Sequence, residues 1–313
     1  MKNALGVKRA VFVVLFAGMS TAVFAGGDIK SQFANRESIR ETRHNLTQRP
    51  TLPGPDGRLV NGSAMDFARN DYREVCVYCH TPHGANSTTN APLWNRTQNP
   101  NNNYITYAQL GTSTLTQPVS QPGINSLTCL SCHDGTTAVD SIINMPGSGR
   151  YQESQEISVD QNFLATWQQR DGSSIPAGSH QALTSGTGCL VCHSQSGSGN
   201  AFPLAGDFAI FEIGLDLRND HPVGIRFPVG SDDFNSTSGT TARGDAFFDL
   251  DGDSRMDKGE VRLYETSEGP EVECASCHDP HGVESAGAGS QFNPTFLRVS
   301  NVGSALCMTC HVK

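Results

Sequence analysis

Cys76-Val77-Tyr78-Cys79-His80 decides the fold, because its C-x-x-C-H spacing recurs four more times along the chain. This spacing is the attachment signature of c-type haem: two thiols form thioethers with the porphyrin and the histidine ligates the iron. All ten cysteines fall in the five copies, so none remains for a disulfide. We therefore predict five covalently attached haems. The residues that hold them are Cys76, Cys79 and His80; Cys129, Cys132 and His133; Cys189, Cys192 and His193; Cys274, Cys277 and His278; and Cys307, Cys310 and His311.

Zinc sites and redox-active dithiols are the alternatives for any single C-x-x-C pair, since both use this spacing. A zinc site requires two such pairs or a separate H-x-x-x-H, and it does not require a histidine directly after the second cysteine. All five copies carry that histidine. The repetition favours haem.

The histidine count matches the haem count. Five of the ten histidines lie outside the motifs: His44, His83, His180, His221 and His281. Five haems and five spare imidazoles predict a distal histidine for every iron. Methionine is another haem ligand, but beyond residue 25 the chain holds only four, one of them inside a motif. Bis-histidine ligation leaves no iron with an open position, so we predict that the protein is not an enzyme.

His83 and His281 each follow a motif histidine by three residues, with Pro82 or Pro280 between them. The two axial ligands of one iron approach from opposite faces of the porphyrin. Three residues span only about 10 Å when extended, and the proline stiffens the connection. We therefore predict that both histidines ligate a neighbouring iron, which brings adjacent haems nearly into contact.

Residues 1–25 have the pattern of a secretory signal peptide. Three basic residues precede the apolar run 10–17, and Val23-Phe24-Ala25 supplies small residues for cleavage after Ala25. The apolar run is too short for a permanent membrane anchor. We predict a secreted protein, extracellular or at the cell surface, with the periplasm as the alternative, and no membrane span.

The composition predicts a chain with little core of its own. Apolar residues make up 36% of the sequence, and residues 26–313 provide about 58 residues for each haem. The expected fold is mostly irregular coil with short α-helices and few strands, wrapped around a chain of five haems. The formal charge is −9, or about −12 without the basic residues of the signal peptide. This charge argues against nucleic acid as a partner.

Two regions follow the signal peptide: an N-terminal arm over 26–62, which carries His44, and a pentahaem domain over 63–313. Three proline residues prevent regular structure at the end of the arm. Short helices are predicted over 31–42, after Ser63 and near 159–169, and extended structure is predicted over 261–264.

Residues 249–260 have the spacing of a calcium-binding loop. Carboxylates occur at loop positions 1, 3, 5, 9 and 12, and position 7 offers a backbone carbonyl. Ser254 occupies the position of the sharp turn, where glycine is usual, although Gly252 lies nearby. A solvated acidic turn is the alternative. The predicted calcium ligands are Asp249, Asp251, Asp253, Arg255, Asp257 and Glu260.

From about residue 63 onward, the chain resembles the multihaem c-type cytochromes of metal-reducing bacteria. The stretches that carry the resemblance are 76–84, 129–135, 219–224, and 261–264 leading into 273–282. The resemblance is closest to the outer-surface cytochromes that polymerise into extracellular nanowires. In that group a histidine near the N-terminus of one subunit ligates a haem of the next subunit, and His44 matches this role by position. The better-known filament formers carry four, six or eight haems, so their ligand pairing is not transferred here.

Three functions follow from these predictions. The first is a head-to-tail homopolymer that conducts electrons along stacked haems towards other redox proteins or extracellular acceptors, with His44 ligating a haem across each junction. The second is a soluble monomeric periplasmic carrier, with His44 folded back onto its own haem. The third is a multihaem reductase; however, the pentahaem nitrite reductases that share the haem number use C-x-x-C-K at the catalytic iron, and this motif is absent.

Overall fold

The computed structural model describes residues 33–47, 68–87, 89, 91–98, 102–113, 115–144, 164–165, 175–176, 178–185, 187–194 and 207–312. The backbones of two short strands, β1 (Leu52–Pro53) and β2 (Leu59–Val60), are also described and pair antiparallel. The prediction that prolines prevent regular structure at the end of the arm is wrong here, because an edge strand tolerates a proline such as Pro53. All ten cysteines and all ten histidines lie within the described residues. The predicted signal peptide lies outside them.

Helices in the described residues are short, and most of those in the motifs are single turns. The α-helices are α1 (Ile124–His133), α2 (Cys274–Cys277) and α3 (Ala305–Cys310), and each ends within a C-x-x-C-H motif. The first and third motifs form 3-10 turns. The 3-10 helices are Ile39–Glu41, Cys76–Tyr78, Tyr107–Leu110, Cys189–Val191, Ala209–Phe211, Pro294–Phe296 and Val302–Ser304.

A five-stranded antiparallel sheet lies between the third and fourth motifs in sequence. Its order is β3-β7-β6-β5-β4, and the longest strands, β6 and β7, form a hairpin closed at Thr266 and Gly269. Gly269 has φ +107, a conformation that side chains disfavour. The strands are β3 (Ile225–Arg226), β4 (Gly239–Thr240), β5 (Ala246–Phe247), β6 (Arg262–Thr266) and β7 (Gly269–Val272).

The local structure agrees with part of the sequence analysis. The extended segment predicted over 261–264 is confirmed from Arg262 onward, within β6. The helix predicted over 31–42 is wrong in the described part: only the turn Ile39–Glu41 forms, because Asn35 and Glu37 have positive φ. The helix predicted after Ser63 and, except for residues 164–165, the one near 159–169 lie outside the described residues.

The apolar core is divided into small clusters, and each includes or touches a motif. The largest contains Phe227, Ala246, Phe248, Val261 and Leu263, against which Cys310 of the fifth motif packs. Two others are built around residues of the first and second motifs: one from Tyr72, Val77, Tyr78 and Ile142, the other from Tyr104, Leu130 and Leu217. Such small clusters bury little apolar area, which is the arrangement expected of a chain completed by a large apolar cofactor.

Candidate haem and metal sites

Each motif adopts one helical turn. The second motif is the last turn of α1. In the other four, the histidine N–H donates to the carbonyl of the first cysteine: His80 to Cys76 at 2.7 Å, His193 to Cys189 at 3.1 Å, His278 to Cys274 at 3.1 Å and His311 to Cys307 at 2.9 Å. Residues i, i+3 and i+4 of such a turn share one face. Both thiols and the imidazole of a motif are therefore carried on one side of the turn, as attachment to one porphyrin requires.

The second and fourth motifs adjoin. The backbone N–H of Cys274 donates to the hydroxyl of Ser126 on α1 at 2.8 Å. Glu273, which is buried, connects the two helices: its carboxylate accepts the backbone N–H of Gly123 at 2.9 Å and the hydroxyl of Ser126. Burial raises the pKa of Glu273 to about 7. The haem attachment points on α1 and α2 are thus held against each other.

The thiol electrostatics differ from those of redox-active dithiols, which need a cysteine with a lowered pKa. Burial raises the pKa of Cys79 and Cys310 to about 12, and that of Cys189 and Cys277 to about 11. The pKa of Cys274 is lowered because it accepts a hydrogen bond from a thiol of another motif, not from its own partner. The dithiol alternative therefore finds no support here.

The zinc alternative needs a cluster of cysteine and histidine side chains. Within the described residues, the one group of three or more potential ligands with atoms inside 4.8 Å of one another consists of aspartates, Asp249, Asp251 and Asp253. All ten cysteines and all ten histidines lie within the described residues, and none belongs to this group. The arrangement of their side chains therefore does not favour zinc.

The histidine rings share a hydrogen-bonding pattern that suits metal ligands. A ring whose Nδ1–H donates to the protein keeps Nε2 bare for a metal. Five rings place Nδ1 against a backbone carbonyl: His44 at Pro280 (3.1 Å), His80 at Pro92 (2.9 Å), His133 at Phe211 (2.7 Å), His221 at Pro222 (3.0 Å) and His278 at Thr295 (2.7 Å). Two more place Nδ1 against a carboxylate, His180 at Asp140 and His281 at Asp279.

His80 of the first motif lies opposite His281. Their ring centroids are 6.1 Å apart. An imidazole nitrogen lies about 2 Å from a metal that it ligates, so two axial rings on opposite sides of one iron have centroids about 6 Å apart. His281 follows the fourth motif in sequence yet faces the first, which agrees with the prediction that it serves a neighbouring iron.

His44 lies opposite His133 of the second motif, with ring centroids 6.3 Å apart. Its ring also stacks on Phe296 at 4.6 Å. Burial is the main cause that lowers the pKa of His44 to about 4, and His133 adds to it. The ring is therefore neutral at pH 7, the state in which imidazole binds metals.

The arm that carries His44 is folded onto its own chain. Arg36 pairs with Gln291, and the N–H of Phe292 donates to the carbonyl of Asn35 at 2.7 Å. The hydroxyl of Tyr78 in the first motif reaches the arm as well. The sequence analysis left two alternatives for His44, ligation of a neighbouring subunit's haem or of a haem of its own chain. In this structure the arm pairs with its own chain, and the His44 ring lies there.

His180 is the most enclosed of the spare histidines. Its side chain and that of Asp140 have no exposed area, and Nδ1 lies 2.6 Å from the carboxylate. Its Nε2 atom is buried without a hydrogen bond. An unpartnered buried nitrogen is costly unless a ligand completes it. The charge of Asp140 also helps to raise the pKa of the Cys189 thiol, so the third motif lies close by. This orphaned atom fits a haem iron.

His221 and His83 are exposed. The segment that carries His221 lies beside the fourth motif. The Gly224 N–H donates to the Val272 carbonyl at 2.9 Å, and the charge of Asp220 acts to raise the pKa of the Cys274 thiol. His83 remains on the surface next to the first motif. All five predicted distal histidines thus lie near a motif, and the rings of His44 and His281 contact a motif histidine.

Arg96 is a positioning residue that the sequence analysis missed. It is fully buried, and its guanidinium donates to four backbone carbonyls, those of Ser131, Ala138, Val139 and Ser141, at 2.7–3.0 Å. These bonds fix the segment between the second motif and Asp140. No sequence signal marks it, because a lone arginine is ordinarily a surface residue.

The acidic loop 249–260 brings together three of its six predicted ligands, whereas the Glu260 carboxylate accepts the backbone N–H groups of Leu250 and Asp257. The carboxylate of Asp249 accepts the backbone N–H groups of Gly252 and Ser254, and Glu260 is buried at the loop's end. Ser254 has φ +63, so it adopts the left-handed turn that glycine usually provides at this position. The sequence-predicted oxygens of Asp249, Asp251 and Asp253 converge within 4.8 Å. Calcium suits such a set of hard oxygen ligands.

Arg298 connects this loop to the fourth motif. Its guanidinium donates to the carbonyl of Lys258 at 2.8 Å, to that of Ala275 at 2.9 Å and to Asp279 at 3.1 Å. Ala275 lies inside the motif. Ordering of the loop is thereby transmitted to the turn that would hold the fourth haem.

Removal of calcium is expected to destabilise the protein. At a calcium concentration of 100 times Kd, loss of the ion costs about 2.7 kcal/mol of unfolding free energy. Chelation with EGTA should lower the urea midpoint of the wild type, and Asp249→Asn should abolish this response. Asp232→Asn, an exposed aspartate outside the loop, should retain it. Equal EGTA responses in both variants would contradict the site.

Neither a protein-family model nor a curated protein matches this chain. In the part of the chain that the structure describes, no helix combines the length and apolarity needed to cross a membrane.

Proposed function

We propose that this protein is a pentahaem c-type cytochrome that transfers electrons and catalyses no reaction of its own. The observation that supports the proposal is the placement of two spare histidines beside motif histidines. Ring centroids are 6.1 Å apart for His80 and His281 and 6.3 Å apart for His133 and His44, distances that one bound iron would suit. When bound, the haems supply one-electron redox centres. The chain's own part is to hold the porphyrin edges, orient the imidazoles and exclude other ligands.

The ligand pairing follows from proximity. His281 completes the first haem and His44 the second; His180 completes the third and His221 the fourth. The attachment points adjoin in space. Cys274 helps to raise the pKa of the Cys129 thiol, and Cys307 helps to raise the pKa of the Cys277 thiol. Short separations between attachment points favour electron transfer from haem to haem.

We also propose head-to-tail assembly, with His83 of one copy ligating the fifth haem of the next. His83 is the distal histidine left over, and it is exposed. The fifth motif is exposed too, at Cys307 and Met308. A contact between two different surfaces that does not close into a ring produces a filament. This assignment replaces the one that the resemblance implied for His44, and the monomeric carrier is the alternative.

The haem assignment is tested on protein secreted from a host that matures c-type cytochromes. Mass spectrometry and the pyridine haemochrome should give five haems per chain. In the assembled protein the ferric spectrum should be low-spin without a response to carbon monoxide after reduction, apart from the fifth haem at a filament end. A zinc content near one per motif, fewer than five haems, or carbon monoxide binding at any of the first four irons would contradict the proposal. The last outcome would favour the reductase.

A further inference from the structure

Two of the histidines that we assign to haem irons hold Nδ1 against a carboxylate, whereas at least five use a carbonyl. The two carboxylate pairs differ in their surroundings. His180 and Asp140 have no exposed side-chain area, while His281 and Asp279 are 61% and 13% exposed. The buried pair is therefore the one whose charge water does not screen.

Asp140 is held rigidly against His180. One oxygen, Oδ2, accepts the backbone N–H of Asn70 at 2.7 Å and faces Nδ1 of His180 at 2.6 Å. The other, Oδ1, is buried without a hydrogen bond. On both sides of Asp140 the backbone carbonyls are fixed by Arg96. The Arg96 guanidinium is thus a cation beside Asp140, and its hydrogen bonds go to backbone carbonyls and the Ser131 hydroxyl.

A carboxylate that accepts the Nδ1 proton gives the imidazole anionic character and makes Nε2 a stronger donor to the metal. The effect is largest where the pair is buried, because the local dielectric constant is low. A stronger donor stabilises ferric iron more than ferrous iron. One electron enters on reduction, supplied by a neighbouring haem, and no bond to the protein forms or breaks.

We propose that Asp140 is a positioning residue that sets the reduction potential of the haem ligated by His180 below that of a haem whose distal histidine is held by a carbonyl. The inference rests on the proposed function, since it requires His180 to be a haem ligand. The exposed pair of His281 and Asp279 lowers the potential of its haem less, because Asp279 also forms an ion pair with Arg298 at 3.1 Å, which offsets its negative charge.

Asp140→Asn is the variant that isolates the charge. Asparagine is isosteric and its oxygen still accepts from Asn70 and His180, so orientation is retained while the negative charge is lost. Spectroelectrochemical titration of the holoprotein should show one of five transitions at higher potential. At a fixed applied potential, the ratio of ferric to ferrous haem should fall at least tenfold. This corresponds to a rise of about 59 mV in the reduction potential of a one-electron couple. The low-spin EPR signal of one haem should change with it.

Asp279→Asn serves as the matched control and should shift one transition by a smaller amount. Five unchanged potentials in Asp140→Asn, or an equal shift in the control, would overturn the inference. His180→Ala distinguishes failure of the ligand assignment from failure of the inference about Asp140. If all its irons stay low-spin, the ligand assignment fails and the inference with it. If one becomes high-spin but Asp140→Asn shifts nothing, only the inference fails.

The wild type provides a check that does not depend on the folding of Asp140→Asn. The transition altered in His180→Ala should lie at a lower potential than the transition altered in His44→Ala, whose Nδ1 meets the Pro280 carbonyl. The reverse order would overturn the inference.

Discussion

In the His44→Ala variant we expect one of five irons to become five-coordinate and high-spin while the protein assembles as the wild type does. The reason is the position of His44, whose ring lies 6.3 Å from His133 of its own chain. Loss of an internal ligand opens one coordination position without removing a contact between copies. Absorbance and EPR spectra report the spin state, and light scattering or electron microscopy reports the assembly.

His83→Ala is the paired variant. It should also produce one high-spin iron, but here assembly should stop at single subunits, because His83 is the exposed ligand assigned to the junction. If instead His44→Ala disperses the filament and His83→Ala does not, the ligand across the junction is His44, as the resemblance implied. A wild-type protein that stays monomeric at high concentration would favour the soluble carrier.

Arg96→Ala should cause the largest loss of stability of any single substitution outside the motifs. The variant removes the guanidinium donor from the carbonyls of Ser131, Val139 and Ser141, while that of Ala138 still accepts the Ser141 N–H, and it leaves a cavity in place of a large buried side chain. Each unsatisfied buried group costs about 1–3 kcal/mol, so we expect a loss on the order of 5 kcal/mol in the unfolding free energy. Urea unfolding of the holoprotein measures it.

The control for Arg96 is Arg218→Ala. Arg218 forms an ion pair with Asp216 at 2.6 Å, with both side chains more than a third exposed, and exposed pairs contribute little to stability. Arg96→Lys should recover little, because an ammonium group lacks the planar set of donors that reaches several carbonyls at once. A stability of Arg96→Ala within 1 kcal/mol of the Arg218→Ala value would show that the carbonyls find other donors.

The sequence by itself determined the local chemistry. A C-x-x-C-H spacing needs only one helical turn to put two thiols and an imidazole on one face, and these turns form in all five motifs. The same holds for the acidic loop, where alternate carboxylates converge because the loop is short. Such predictions succeed because the interacting groups are separated by few residues.

Which histidine rings lie together, and which groups support them, follows from long-range contacts. His44 meets the second motif 89 residues away because the arm pairs with residues near Gln291, and Arg96 and Asp140 act through contacts across tens of residues. The five-stranded sheet likewise includes three strands of only two residues, which carry little pattern. Long-range contacts depend on the packing of the whole chain, which no local spacing encodes.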